Sequence, residues 1–341
     1  MNSEPIIRIA SRGSALALAQ ANYILARCRA AFPAQAFEIR TFKTTGDKLQ
    51  AASLTESGKS LPKGLFTKEL EIALLNGEAD LAVHSLKDLP TELPDGLRLS
   101  AASERADVRD VLLMSLYTSR RTEVSSASSL TAGTMECGSL LTSAPAVSDL
   151  PPGATVATSS TRRRMQLLAL RPDLNVVEMR GNVGTRLRKL AESTSLHATI
   201  LAAAGLGRLG YRVTGDGRLE GQDVPPRLRA VFLSLEEMLP AVGQAALGIE
   251  TRVNDVRIEA IAAALNHEAT FQSVSAERAF LDAMGGGCLS PTAAYAKVCS
   301  GEVHLRAIHF RGEQALRIEG RAPAAEAAAL GRRLANELKL K

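Results

Sequence analysis

Short apolar runs alternate with amphipathic stretches over the first ninety residues, and this alternation predicts strands and helices in turn. Residues 15–30 place Leu16, Ala19 and Tyr23 at the three- and four-residue spacing of one helix face. Thr67 is a suitable N-cap for a second helix, because its side chain can accept from an early helical N–H. The predicted strands lie at 6–10, 37–42 and 81–84.

The same alternation returns between residues 154 and 208. Helices are predicted after Ser159-Ser160 and after the glycine turn at 180–184. The predicted strands lie at 154–158, 175–179 and 199–203. Strand–helix alternation favours parallel sheets with right-handed crossovers, and two such units in tandem predict paired α/β domains facing each other over a cleft. Ligands of such sheets bind beyond the carboxyl ends of the strands.

From about residue 268 the pattern changes to one helix, three strands in direct succession and an alanine-rich helix. Two polar stretches, 117–152 and 211–227, are predicted to be an extended surface insertion and a loop. The predicted fold class is therefore α/β, with two tandem domains like those of solute-binding proteins and a small C-terminal α+β domain with an antiparallel sheet. Its strands are predicted at 293–298, 303–310 and 315–319.

Composition excludes several classes of protein. The chain has 341 residues, of which 45% are hydrophobic and 23% charged, which is typical of globular domains and not of disordered or coiled-coil proteins. The longest stretch without a formal charge, 193–207, is too short to cross a bilayer. Charged residues among the first twelve positions leave no uncharged signal core, so the chain is expected to be cytoplasmic. Its four cysteines show no CxxC pairing or zinc-ligand spacing, so we expect free thiols and no metal.

Charge points to an anionic partner. The chain has 41 basic and 36 acidic residues, and 31 of the basic residues are arginine. Eight basic residues against two acidic ones fall between Arg162 and Lys189. This run is either a solvated helix face or an anion site; Arg162 and Arg163 favour the second, since cations at a helix start oppose the macrodipole unless an anion is near. With no tryptophan and only 4% aromatic residues, a small polycarboxylate or polyphosphate fits better than nucleic acid.

Three further positions could carry chemistry. Asp88 follows the predicted strand at 81–84 and is either a loop carboxylate satisfied by Lys87 or a carboxylate that stabilises a developing cation. His84, within that strand, is better explained as a hydrogen-bonded core histidine. Cys288 follows three glycines, which suits an exposed nucleophile or attachment point as well as a structural thiol.

Seven ordered runs together resemble the porphobilinogen deaminase (hydroxymethylbilane synthase) family. They are RIASRGS at 8–14, KGLFTKE at 63–69, AVHSLKD at 82–88, TSSTRR at 158–163, RGNVGTR at 180–186, LPAVGQ at 239–244 and GGC at 286–288. The resemblance covers nearly the whole chain apart from the stretches 117–152 and 211–227. The chain departs from the family at Ala245, where the family usually has glycine after Gln244.

The resemblance implies a transferase that joins four porphobilinogen molecules head to tail, releases ammonia each time and yields the linear tetrapyrrole hydroxymethylbilane. It implies a dipyrromethane cofactor held by a thioether to Cys288, and Asp88 as the catalytic carboxylate. The residues that match cofactor-binding positions are Lys87, Asp88, Ser160, Arg162, Arg163 and Arg186. The residues that match substrate-binding positions are Arg12, Ser14, Gln20, Arg180 and Arg208.

The resemblance also implies a domain plan and a setting. Domain 1 spans 1–105 with about 243–264, domain 2 spans 106–240, and the C-terminal domain spans 268–341. The expected protein is a cytoplasmic monomer that passes its product to the next enzyme of porphyrin biosynthesis, without nucleic acid or membrane partners. The alternatives are a non-catalytic two-domain binding protein for a small polyanion, which would not need Cys288, and a nucleic-acid binder, whose affinity would fall steeply with salt.

Overall fold

The computed structural model describes residues 5–46, 65–115, 146–287 and 290–341. The chain forms two compact units: unit 1 comprises Met1–Val108 with Leu239–Lys341, and unit 2 comprises Arg109–Met238. The strands are β1 (Ile7–Arg12), β2 (Phe37–Phe42), β3 (Leu81–Ser85), β4 (Leu97–Ala102), β5 (Asp110–Ser115), β6 (Thr155–Ala157), β7 (Asn175–Val177), β8 (Ala198–Ala202), β9 (Arg212–Val213), β10 (Leu219–Glu220), β11 (Leu228–Phe232), β12 (Leu247–Arg252), β13 (Thr292–Cys299), β14 (Glu302–Arg311) and β15 (Gln314–Pro323). The helices are α1 (Ala15–Ala31), α2 (Lys68–Leu75), α3 (Thr161–Leu170), α4 (Val183–Glu192), α5 (Ala203–Arg208), α6 (Val256–Leu265), α7 (Glu268–Ala283) and α8 (Ala327–Lys339).

Unit 1 contains a five-stranded sheet in the order β2-β1-β3-β12-β4. β1 pairs in parallel with β2 and β3, whereas β12 is antiparallel to both β3 and β4. Helices α1 and α6 pack against this sheet and against each other. Its main core includes Ile7, Ile9, Ile24, Leu81 and Ile249, all fully buried, so the alternating apolar positions of β1 and β3 face the helices.

The C-terminal part of unit 1 is an antiparallel sheet in the order β13-β14-β15, which confirms the predicted antiparallel C-terminal sheet. Helices α7 and α8 pack closely together, and Gly331 on α8 lies so near the Ala276 carbonyl that a Cβ there would overlap it. Their shared core contains Phe280, Leu330 and Leu334.

Unit 2 contains a second five-stranded sheet in the order β11-β5-β8-β6-β7. β6 is parallel to β7 and β8, while β5 is antiparallel to β8 and β11. Leu112, Val156, Leu167 and Ile200 form the centre of one core on this sheet. The parallel strands β6, β7 and β8 each lead into a helix or turn at the same edge, and this edge carries the arginine-rich segments.

Two sequence predictions need correction. Both sheets are mixed rather than parallel, because β5 and β12 run against their neighbours, and periodicity does not reveal strand direction. The predicted loop at 211–227 contains the hairpin β9–β10, whose strands pair at Val213–Leu219 and Arg212–Glu220. Most of the predicted insertion at 117–152 lies outside the described residues. The three-domain plan stays a prediction.

No helix within the described ranges is long and apolar enough to cross a membrane.

Candidate active site

One group of predicted site residues lies at the carboxyl ends of β1 and β3 in unit 1. Ser14 is the N-cap of α1, and its hydroxyl accepts from the Ala17 N–H at 3.2 Å. Gln20, on the first turns of α1, is only 3% exposed, and its Nε2 donates to Ser85 Oγ at 2.8 Å. This bond joins α1 to the end of β3, so Gln20 supports the segment that continues into Asp88.

Asp88 is exposed at the end of a 3₁₀ turn, Leu86–Asp88, with half-buried Lys87 beside it. The turn is anchored through Leu86, whose N–H donates to the Ala246 carbonyl at 3.1 Å and whose side chain is buried. A Cβ at Gly243 or Gly248 would lie 3.0 or 2.8 Å from Leu86 side-chain atoms. Glycine at these two positions therefore leaves room for the Leu86 side chain to pack. This packing fixes the turn, on which Asp88 is exposed.

Arg12 ends β1 at the same edge of the sheet. Its guanidinium carbon lies 4.2 Å from the centre of the Phe66 ring, within the range of a cation–π contact. The aromatic ring covers one face of the guanidinium, which orients the charged plane. Phe66, within the KGLFTKE run, thus helps to position Arg12, which is predicted to bind the substrate.

A second group lies at the start of α3 in unit 2. Ser160 is the N-cap, and its hydroxyl accepts from the Arg163 N–H at 3.4 Å. Arg162 and Arg163 are each 6% exposed and both bind Asp110, which is fully buried at the start of β5. Arg162 Nη2 donates to Oδ2 at 2.8 Å and Arg163 Nη2 to Oδ1 at 2.7 Å. One carboxylate therefore holds two guanidiniums.

Burial by itself would raise the pKa of the Asp110 carboxyl, but the charges and hydrogen bonds of Arg162 and Arg163 outweigh it and hold that pKa well below its usual range. The anion that the sequence demands near the two arginines is thus supplied in part by the chain itself. The cluster of Asp110, Arg162 and Arg163 still carries one excess positive charge.

The remaining predicted arginines line the same edge of unit 2. Asn182 caps α4 by accepting from the Thr185 N–H at 2.8 Å, and Arg186 Nε donates to the Gly181 carbonyl at 2.8 Å. Arg180 is half-exposed and pairs with Glu178 at 2.7 Å. Arg208 is the last residue of α5 and is half-buried. These side chains follow β7 and β8, so the structure places them beside the α3 group.

Cys288 lies outside the described residues, as does Cys137. Of the other cysteines, Cys28 is buried on α1, where burial raises the pKa of its thiol to about 11, and Cys299 is exposed at the end of β13. The raised pKa disfavours the thiolate, which is the reactive form of a cysteine.

Two residues after Cys288, Ser290 begins a chain of polar contacts that the sequence does not suggest. The Ser290 N–H donates to the Gly287 carbonyl at 2.9 Å, and Ser290 Oγ lies 2.6 Å from Thr292 Oγ1. Thr292 Oγ1 is in turn 2.9 Å from His309 Nδ1. Burial lowers the pKa of His309, with a smaller contribution from the Arg311 charge, so the neutral imidazole is favoured.

Sequence reasoning missed three supporting residues: Asp110, Ser85 and Phe66. Asp110 could have been suspected as the charged residue directly ahead of the apolar run at 111–113, although its pairing with arginines about fifty positions away could not. Ser85 and Phe66 lie within the matched runs, yet their contacts with Gln20 and Arg12 depend on how α1 and β1 pack.

The arrangement defines an α/β protein with a buried cationic cluster at the start of α3 and an exposed carboxylate at the end of a strand. Sequence comparison is more specific. The family described as "Porphobilinogen deaminase, dipyromethane cofactor binding domain" matches residues 7–260, and "Porphobilinogen deaminase, C-terminal domain" matches residues 271–340. The chain belongs to the porphobilinogen deaminase family.

A curated relative carries the name of this family. The porphobilinogen deaminase of Paracoccus denitrificans (strain Pd 1222) is 41% identical over 337 residues, which cover 98% of this chain and 93% of the relative. The chain accordingly has the function of a hydroxymethylbilane synthase, a transferase of tetrapyrrole biosynthesis with a dipyrromethane-binding domain.

Solved structures show weaker likeness. The BenM effector-binding domain with benzoate is 13% identical with a TM-score of 0.39, covering 77% of this chain and 91% of that chain. HinK, a LysR-family transcriptional regulator from Pseudomonas aeruginosa, is 12% identical with a TM-score of 0.40, covering 76% of this chain and 68% of that chain.

The residues at the start of α3 fit a cofactor with several carboxylates. Arg163 Nε is buried and has no hydrogen-bond partner among the described residues, so one donor remains for an added acceptor. The excess positive charge of the Asp110 cluster favours the same ligand chemistry.

Proposed function

We propose that Asp88 is the catalytic carboxylate of this hydroxymethylbilane synthase. The observation that carries the proposal is its placement: an exposed carboxylate beside Lys87, on a turn that Leu86 anchors at the carboxyl end of β3. Loss of ammonia from porphobilinogen leaves a positive charge largely on the pyrrole N–H. A carboxylate already fixed in position stabilises such a charge without reorganisation.

The basic residues act as partners for the acetate and propionate groups of the pyrroles. We assign Ser160, Arg162, Arg163, Arg186 and Lys87 to the cofactor, and Arg12, Ser14, Gln20, Arg180 and Arg208 to the incoming substrate. Each pyrrole carries two carboxylates, and guanidinium forks bind carboxylates through two parallel hydrogen bonds. Gln20 is buried against Ser85, so its part at the substrate is to hold the end of β3 in place.

Cys288 is proposed to carry the dipyrromethane through a thioether. When bound, the cofactor supplies the nucleophilic pyrrole carbon that begins each round. The support is the GGC match and the poor suitability of Cys28, whose raised pKa disfavours the thiolate. The protein is further proposed to be a cytoplasmic monomer whose product goes to the next enzyme of porphyrin synthesis.

The mass of the intact protein tests the attachment. We expect a fixed excess over the sequence mass, equal to two condensed pyrroles, and we expect Cys288→Ser to lose both this excess and turnover because a hydroxyl is a poor nucleophile at neutral pH. Cys299→Ser is the control, since Cys299 is an exposed thiol in the same C-terminal part of the chain, and it should keep both. Full turnover by a Cys288→Ser protein of unmodified mass would refute the attachment.

The rate of ammonia release in a single turnover by pre-primed protein tests Asp88. Asp88→Asn keeps the size but removes the negative charge, so we expect a rate loss of about 100- to 1000-fold. Asp88→Glu keeps the charge but moves it, so it should retain more activity than the asparagine variant. Asp95→Asn, at another exposed loop carboxylate, should release ammonia at the parent rate. A fast Asp88→Asn variant would move the catalytic role elsewhere, and a parent that binds porphobilinogen without releasing ammonia would favour the binding-protein alternative.

A further inference from the structure

Three ionisable side chains form a group in the interior of unit 1. His84 on β3 and Glu250 on β12 are fully or almost fully buried, and His84 Nε2 lies 2.9 Å from Glu250 Oε2. Glu71 on α2 is 7% exposed, and it is close enough for the charges of Glu250 and His84 to act on its carboxyl. His84, Glu250 and Glu71 are called the buried triad below.

The buried triad has more acidic than basic groups. If both carboxylates were ionised, one imidazolium would leave an unbalanced negative charge in the interior, which is strongly unfavourable. Glu69, on the same helix, adds a further negative charge near Glu71. Charged groups on the other elements that pack against α2 have contacts of their own. These contacts are Arg8 with Glu38, Arg12 with Phe66, Arg98 with Glu259, and Arg252 with Asp80 and Asp255.

The hydrogen bonding of the buried triad is also incomplete. Glu71 Oε1 and Glu250 Oε1 are buried and have no hydrogen-bond partner among the described residues. A proton on Glu71 would remove the excess charge and add one O–H donor. Burial raises the pKa of Glu71; the Thr67 hydroxyl opposes this, and the Glu250 charge adds to it.

The buried triad adjoins the segment that carries Asp88. Ser85 follows His84 at the end of β3, and the 3₁₀ turn with Lys87 and Asp88 begins at the next residue. In the β12 ladder, Gly248 pairs with His84 and Leu247 pairs with Ser85. A cross-strand contact between His84 and Glu250 therefore fixes the last residues of β3 against β12 before the chain turns toward the active site.

We propose that His84, Glu250 and a protonated Glu71 act together as positioning residues for Asp88. The inference rests on the proposed role of Asp88. In this arrangement Glu71 is a neutral hydrogen-bond donor to the buried carboxylate, and Glu250 holds His84. Ionisation of Glu71 adds a second negative charge to the buried triad, loosens the contact between β3 and β12 and misplaces the Asp88 turn.

The test compares pH profiles of ammonia release by Glu71→Gln and the parent, both pre-primed. Glutamine mimics the neutral acid, so the variant should equal the parent at low pH, and the ratio of variant to parent rate should increase as the pH rises. The control is Glu78→Gln, at an exposed glutamate just beyond α2, and its ratio should stay flat. A flat ratio for Glu71→Gln, or a constant loss of rate at every pH, would overturn the proposal.

Equilibrium unfolding gives a second readout that does not need activity. Since the folded-state pKa of Glu71 is raised, the unfolded chain loses this proton first, at about pH 4.3, and the ratio of folded to unfolded parent then falls by up to about tenfold per pH unit until the folded-state pKa is reached. Glu71→Gln should lack this decline. If the parent released no ammonia at all, the proposed function would fail, whereas the unfolding arm would still decide the protonation of Glu71.

Glu250→Gln addresses the link to Asp88. This variant keeps the size of residue 250 but weakens its hold on His84. We expect kcat to fall by a larger factor than KM rises, because the arginines proposed to bind the substrate lie on other elements. An unchanged kcat in a folded Glu250→Gln protein would show that the buried triad does not position Asp88.

Discussion

The two units bury charge in opposite ways. In unit 2, Asp110 holds Arg162 and Arg163, and the excess charge belongs to a guanidinium, which cannot lose its proton at any relevant pH. In unit 1, His84 faces Glu250 and Glu71, and the excess charge belongs to a carboxyl, which a proton can neutralise. The first cluster therefore stays cationic and remains suited to anionic ligands, whereas the second can become neutral and serve as interior support.

The largest effect is expected from breaking the unit 2 cluster. Asp110→Asn leaves two buried guanidiniums without their charge partner, and we expect the free energy of unfolding to fall by about 3–5 kcal/mol. Denaturant unfolding of unprimed protein measures it. The control is Glu178→Gln, which breaks the exposed pair with Arg180 and should change the free energy by less than about 1 kcal/mol. Equal stability of the two variants would mean that the buried ion pairs of Asp110 stabilise the fold no more than the exposed pair of Arg180 and Glu178.

The same contacts make Arg162 a poor residue on which to test cofactor binding. Replacing it removes a partner of Asp110 as well as a donor to the ligand, so loss of cofactor and loss of stability cannot be separated. Arg186 donates Nε to the Gly181 carbonyl and lies outside the Asp110 cluster, so Arg186→Leu isolates the ligand contact more cleanly.

Sequence patterns predicted the strands whose apolar runs stand next to a helix, such as β1, β3, β6 and β8. They did not predict β4, β5, β11 and β12, because each of these strands is defined by pairing with a strand distant in sequence. The same limit applies to the site. The motif runs located Asp88 and the arginines, and the helix-start argument demanded an anion near Arg162. Only the fold shows that Asp110, 52 positions away, supplies part of that negative charge.

A second prediction uses the opposite pH response of the two clusters. The Asp110 pKa is depressed in the folded state, so the stability that it contributes is fully present above its unfolded-state pKa, about 3.9, and is lost as the pH falls further. The slope is up to about 1.4 kcal/mol per pH unit. Glu71 acts in the other direction, because its raised pKa makes stability decline as the pH rises.

The measurement is the free energy of unfolding of the parent and of Asp110→Asn from neutral pH down to about pH 3. The difference between the two should shrink as the pH falls, because the unfolded parent then takes up a proton on Asp110 that the folded parent does not, whereas asparagine has no such group. A difference that is constant with pH would contradict the depressed pKa of Asp110.

The smallest effect concerns the backbone that leads into β12 and hence to Glu250. Ala245 has φ of +74°, in the left-handed region that favours glycine, and it stands where the family usually has glycine. A left-handed alanine costs about 1–2 kcal/mol. Replacing it with glycine relieves this strain but loses a buried methyl, worth about 0.8 kcal/mol, and adds freedom to the unfolded chain worth about 0.4–1 kcal/mol. We therefore expect Ala245→Gly to change the free energy of unfolding by less than about 1 kcal/mol. Its neighbour Ala246 is also buried but has no positive φ. Ala246→Gly therefore loses the buried methyl and adds freedom to the unfolded chain without relieving any backbone strain, and it should be destabilised by about 1–2 kcal/mol. Denaturant unfolding of the two variants isolates the strain at residue 245, and equal destabilisation of both would show that the left-handed alanine carries none.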